Sequence, residues 1–155
     1  MIEAFKDKII FKTVKDQFKK IPFHNLMGIN ITKFRFESAK IIISRNEKLV
    51  GNVVQGSLHG GVTATLLDSI GGLVAIGNFL AREKDQHPQY LKECISKMGT
   101  IDLRIDYLLP GKGKKFSATV RVIRGGKRVT VCRVEVHNNQ NKCIDLGTGT
   151  YLWSK

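Results

Sequence analysis

Two features of this sequence have the residue types and spacing to do chemistry, one offering a donor for developing negative charge and the other a carboxylate able to act as base or nucleophile. One is the turn Gln55-Gly56-Ser57-Leu58-His59-Gly60-Gly61, and the other is Asp68, the only ionisable side chain between Gly60 and Leu80. Val62, Leu66, Leu67, Ile70, Leu73 and Val74 surround Asp68 in sequence, so the segment reads as a helix apolar on nearly every side, which has to be buried. A carboxylate in that setting is costly without a partner or a task. Gly60 opens the helix and offers an N–H without an intrahelical acceptor, with the positive end of the helix dipole behind it. A donor of that kind, aimed at a developing oxyanion, is worth about 2.7–4 kcal/mol in a transition state. Gly60 and Asp68 lie ~12 Å apart along one helix at 1.5 Å per residue, too far to serve one reactive centre. The spacing therefore predicts a site completed by a second chain, with Asp68 of one subunit facing Gly60 of the other. A structural role for Asp68, capping a strand or pairing with an arginine, is the alternative.

The remaining reactive side chains form no competing constellation. His24, His59, His87 and His137 have no metal-ligand spacing, and His59 reads as ordering the turn and the carbonyl. Ser57 lacks the Gly-x-Ser-x-Gly setting of a serine hydrolase. Cys94, Cys132 and Cys143 are odd in number and without Cys-x-x-Cys spacing, which predicts reduced thiols in a cytosol.

Periodicity supplies the elements that must position Gly60 and Asp68. Residues 3–20 space Phe5, Ile9, Phe11 and Phe18 among lysines, an amphipathic helix that packs on the domain or lies on a membrane surface. Pro22 ends it. Gly28–Phe36 and Ala39–Ser44 read as a hairpin through Glu37-Ser38, and residues 46–57 as a polar loop into the buried helix. A loop follows that helix, then a short helix over Gln89–Lys97. In Thr100–Leu109 the residues Ile101, Leu103, Ile105 and Tyr107 alternate with Thr100, Asp102, Arg104 and Asp106, the mark of a half-buried strand. Strands over Phe116–Ile123, Arg128–His137 and Cys143–Trp153 complete an expected four-strand antiparallel meander, with Arg124-Gly125-Gly126-Lys127 as a tight turn. The fold class is α+β: about six antiparallel strands wrapped around one long buried helix, with an N-terminal helix. Residues 1–21 form the helical appendage and 22–155 a single domain.

At 155 residues one domain is expected, burying roughly two-thirds of its unfolded surface. The first eight residues contain acids and no apolar core, unlike a secretory signal. A membrane-spanning reading of 60–80 is opposed by Asp68 near its middle, at about 2.5–3.5 kcal/mol on insertion scales, and by five glycines. A net charge of +13 favours anionic partners. Between Gly111 and Arg133 there are eight basic residues and no acid, and Arg124, Lys127 and Arg128 around Gly125 are the candidates for holding phosphates. No helix-turn-helix or RNP-like aromatic pair accompanies them, so a nucleic-acid partner is not expected.

The joint occurrence of Gly56-Ser57-Leu58-His59-Gly60-Gly61, Asp68 nine positions after His59, and Asp102-Leu103-Arg104-Ile105-Asp106-Tyr107 resembles the PaaI-type hotdog-fold acyl-CoA thioesterases. It is closest to their branch for medium- and long-chain acyl-CoA. The resemblance covers about residues 22–153. It implies a cytoplasmic hydrolase of fatty acid metabolism without metal or organic cofactor, acting on acyl-CoA, and a homodimer or homotetramer with sites at the subunit interface. On this likeness Asp68 is the general base or nucleophile, the Gly60 N–H polarises the thioester carbonyl, Gly61 lies against the substrate, and Thr100 orients the water or Asp68. The family asparagine falls at Val53 here, so Asn52 through a different loop path, or Gln55, takes its place. The alternative class is a non-catalytic acyl-CoA-binding or regulatory protein on the same fold; a dehydratase would carry a different site pattern.

Overall fold

The computed structural model describes residues 2–153, with side chains from Lys6 onward. The expected place of Phe5, and the terminal residues of the two expected segments, lie outside the described residues. Helix α1 (Ile2–Lys19) and helix α2 (Pro22–Met27) precede the strands β1 (Asn30–Phe34) and β2 (Ser38–Ser44). A single 3-10 turn, Glu47–Leu49, leads to the short strands β3 (Val50–Asn52) and β4 (Ser57–Leu58). Helix α3 (Gly60–Glu83) and helix α4 (Pro88–Ser96) follow, then β5 (Gly99–Tyr107), β6 (Lys115–Gly125), β7 (Val129–Asn138) and β8 (Cys143–Leu152). Pro22 does more than stop α1: it stands at the first position of α2, where proline's fixed φ suits a helix.

Six strands form one antiparallel sheet in the order β1-β2-β6-β7-β8-β5. The four-strand meander is therefore corrected to three strands. Strand β5 pairs with β8 instead of β6, because Leu108–Lys114 is a crossover and not a hairpin. The crossover is held at both ends, by Leu108 and Leu109 N–H on Ile144 O and by Arg45 N–H on Lys114 O.

Helix α3 packs on the sheet through fully buried Leu66, Leu67, Ile70 and Val74, facing Ile41, Phe116, Ala118 and Val134 of the strands. It is long and apolar enough to cross a membrane, yet here its apolar faces are the core of the domain. Helix α1 buries Val14 and Phe18 on the domain while Ile9 stays outside. The Phe18 ring lies 4.0 Å from the ring of buried His24, and Phe11 sits edge-on to Phe34. The cysteines are unpaired, and burial pushes the Cys132 thiol up to about 12, which makes it an inert core group.

Candidate active site

Helix α3 starts on His59, which holds extended backbone angles (φ −65, ψ 136) and accepts the Gly61 N–H on Nδ1 at 2.9 Å. Helix α4 starts the same way: His87 (φ −61, ψ 136) accepts the Gln89 N–H on Nδ1 at 3.2 Å, and the next residue is Pro88. The chain thus shows that the position after such a histidine cap accommodates proline. At residue 60 it keeps a glycine instead, whose N–H meets no acceptor among the described residues. A Cβ there would come within 3.1 Å of the Tyr107 ring, so glycine also permits close approach of the edge strand.

Two hydroxyls hold the carbonyl of Gly60: Thr63 Oγ1 donates to it at 3.0 Å and Tyr107 Oη at 3.3 Å. Tyr107 stands opposite Asp145 in the β5–β8 ladder. Asp145 is only 2% exposed and faces the Thr63 hydroxyl. Burial raises its carboxyl above the usual range, and the contact with Thr63 works against that rise. Thr63 has one proton and two acceptors in reach, so the protonation of Asp145 and the anchoring of Gly60 are linked.

Eight residues along α3, half-buried Asp68 is gripped by the same two strands. Thr100 Oγ1 donates to its Oδ1 at 2.8 Å, and Tyr151 Oη donates to its main-chain carbonyl at 3.1 Å. Thr100 and Tyr151 are themselves ladder partners. Asp68 enters no ion pair among the described residues, so the arginine-paired alternative is not what is found. Simple alternation puts Thr100 on the polar face of β5. A bulge between Thr100 and Asp102 reverses that, turning Ile101 away from α3 at 57% exposure and directing Thr100, itself exposed, toward Asp68.

The other expected residues are spread over two regions. Asn52 and Gln55 lie exposed in the β3–β4 turn, where Asn52 Oδ1 accepts the Gln55 N–H at 3.0 Å. Gly61 lies beside Gly60, its N–H already engaged by His59. Arg124, Gly125, Lys127 and Arg128 form the β6–β7 turn, which sits at the C-terminal end of α3: Arg82 reaches Gly126 O, and Gly125 lies against Asn78. Within one chain that turn and Gly60 are therefore at opposite ends of the helix. Tyr107, Asp145 and Tyr151 escaped the sequence reading because strand register, not local spacing, brings them to α3; Thr63 lies on α3 itself, where a hydroxyl three residues after Gly60 gives no signal of its own.

The thioesterase superfamily model matches residues 55–144. The medium/long-chain acyl-CoA thioesterase YigI of Escherichia coli (strain K12) is 41% identical over 132 residues, 85% of each chain. Its counterpart in Salmonella typhimurium (strain LT2) is 40% identical over the same shares. A solved structure from Shewanella oneidensis, described as related to the thioesterase superfamily, is 43% identical, with a TM-score of 0.90 over 96% of this chain and 97% of that one. The E. coli PaaI protein of the phenylacetic acid degradation operon shares the fold at 20% identity and a TM-score of 0.76, over 96% of both chains. The fold is the hotdog arrangement, and the chain belongs to the thioesterase superfamily.

Proposed function

We propose that the protein hydrolyses medium- to long-chain acyl-CoA to a free fatty acid and CoA, in a homodimer or homotetramer of the cytoplasm, with residues 22–155 as the catalytic domain and 1–21 as its appended helix. The observation that carries this reading is the placement of the two half-sites. Among the described residues strand β5 is the edge of the sheet, with β8 as its only neighbour. Thr100 and Asp68 mark one end of that edge, and Tyr107 and the free N–H of Gly60 mark the other. An unpaired edge is a template for another strand. Antiparallel pairing of two β5 edges about a two-fold axis sets the Thr100 end of one subunit against the Tyr107 end of the other. Asp68 of one subunit then faces Gly60 of its partner, and each dimer has two such sites.

In such a site Asp68 takes a proton from water, the resulting hydroxide adds to the thioester carbonyl carbon, and the oxyanion rests on the Gly60 N–H. Collapse of the adduct breaks the C–S bond, and the proton passes to the departing sulfur. Direct attack by the carboxylate, followed by hydrolysis of the anhydride, uses the same groups. His59 holds the turn, Thr100 orients Asp68 or the water, and Gly61 lies against the substrate. Asn52 or Gln55 reaches the carbonyl from the β3–β4 turn. Arg124, Lys127 and Arg128, with Gly125 giving the turn its shape, contact the phosphates from the subunit that supplies Asp68. The names of the YigI relatives support the chain-length class.

The test is release of free thiol from short, aromatic, medium and long acyl-CoA esters by wild type and Asp68→Asn. Loss of a general base lowers turnover by about 10²–10⁴-fold, so release that favours medium and long chains and fails in a folded Asp68→Asn protein is expected. Binding of acyl-CoA without thiol release by either protein would replace this reading with that of a binding module.

A further inference from the structure

The His59–Gly60–Gly61 turn has an opening on each side, and the two differ in chemistry. On one side lies a cavity of about 420 Å³, walled by Phe23, Leu26 and Met27 of α2 with Leu49 and Val62, and edged by Lys48, His59, Gly61 and Thr65. Helix α2 is fixed at both ends, by Pro22 at its first position and by Gly28, whose φ of 69 is left-handed. So held, it buries His24 and Met27 and turns Phe23 and Leu26, three apart and on one face, outward. Leu26 is 73% and Phe23 51% exposed, a large apolar surface beside the turn without protein cover. On the other side a cavity of about 310 Å³ has a mixed lining, with the polar groups of Ser57, Thr63, Tyr107 and Asp145 set among Leu58 and Leu108. It shares Leu109 and Pro110 with a depression of about 720 Å³ that contains Lys112, Lys114 and Lys142. The small residues of α3 offer no rival channel: Tyr151 occupies the space at Gly71 and Phe34 that at Gly77.

An acyl-CoA presents an apolar chain, a thioester, an amide-bearing pantetheine and then phosphates. The surface presents an apolar groove, the Gly60 turn, a cavity of mixed lining that suits the amide-bearing pantetheine, and then lysines, in the same order. We propose that the fatty acyl chain lies in the groove under α2, with Phe23 and Leu26 as the wall that sets chain length, and that the CoA portion runs the opposite way past Tyr107 toward Lys112, Lys114 and Lys142. This orientation rests on the acyl-CoA thioesterase reading above. Each methylene buried against these side chains strengthens binding by about four-fold, which makes the groove a strong selector of length.

Leu26→Trp and Phe23→Trp, each at an exposed position where the fold tolerates change, fill the groove. Each should lower kcat/KM for a sixteen-carbon acyl-CoA by about 10-fold or more, leave a four-carbon acyl-CoA unchanged and keep the wild-type melting temperature. Lys112→Glu with Lys142→Glu should raise KM for acyl-CoA but not for the acyl thioester of N-acetylcysteamine, which has no phosphates. An unaltered chain-length profile in both tryptophan variants, or equal KM changes for the two thioesters, overturns the orientation. Absence of thiol release by wild type from every acyl-CoA overturns the activity beneath it instead.

Discussion

Thr100 reaches Asp68 because the edge strand is bulged: with Ile101 displaced away from α3, the Thr100 hydroxyl turns toward that helix and donates to Asp68 Oδ1 at 2.8 Å. The bulge costs a ladder position at a sheet edge, a place where bulges re-aim side chains toward functional sites. The bond leaves the second carboxylate oxygen of Asp68 free of any protein donor among the described residues, a condition that the proposed role of general base needs.

Removal of that hydroxyl should separate orientation from chemistry. A hydrogen bond to a charged group is worth about 1.5–3 kcal/mol, so Thr100→Val should lower kcat by roughly 10–100-fold with little change in KM. Thr100→Ser, which keeps the donor, should stay near wild type. Equal kinetics for the two variants would show that the hydroxyl has no part in turnover.

Asp145 gives a pH dependence of stability with a definite sign. Burial raises its carboxyl above the ordinary 3.8, so the folded chain binds this proton more tightly than the unfolded one. The stability it contributes is full below 3.8 and is lost as pH rises through the folded-state value. Asp145→Asn is free of this loss. Denaturant unfolding at stepped pH should show the variant gaining on wild type as pH rises from the ordinary value toward neutrality and then holding constant; parallel pH profiles would contradict it.

The cationic β6–β7 turn is tested by charge. Arg124→Glu with Lys127→Glu should raise KM for acyl-CoA by roughly 10-fold or more, the scale expected when charge-assisted phosphate contacts are lost, with a smaller effect on kcat. Both side chains are exposed, so the fold should be retained. An unchanged KM would remove the turn from the binding surface.

The sequence made the centre of the fold legible and its margins less so. Apolar residues on all sides of 60–80 require a buried helix, and α3 is that helix, extended to Glu83. Alternation located all four C-terminal strands within a few residues, yet could not say that β5 leaves β6 and joins β8, since a Pro-Gly stretch is equally a hairpin and a crossover. Helix α2 was hidden because Pro22 serves both as a stop for α1 and as a start. Asp68 and Gly60 stood out as candidates by type and spacing, and Thr100 only through the family resemblance. Tyr107, Asp145 and Tyr151 did not, because each reaches α3 through cross-strand register that a single bulge can shift.

The most direct test of a site shared between two subunits uses Gly60→Pro beside Asp68→Asn. Proline removes the free N–H, and the His87–Pro88 start of α4 shows that a helix begun on a histidine cap accepts it; at residue 60 it requires the exposed Tyr107 ring, 3.1 Å from the new Cβ, to shift. Each variant alone should be inactive. Refolded together in equal amounts, they should recover roughly one quarter of wild-type activity, the share that random reassortment of a two-fold dimer restores. Recovery at that level places Asp68 and Gly60 of one working site on different chains, and a mixture as inactive as its components would contradict it.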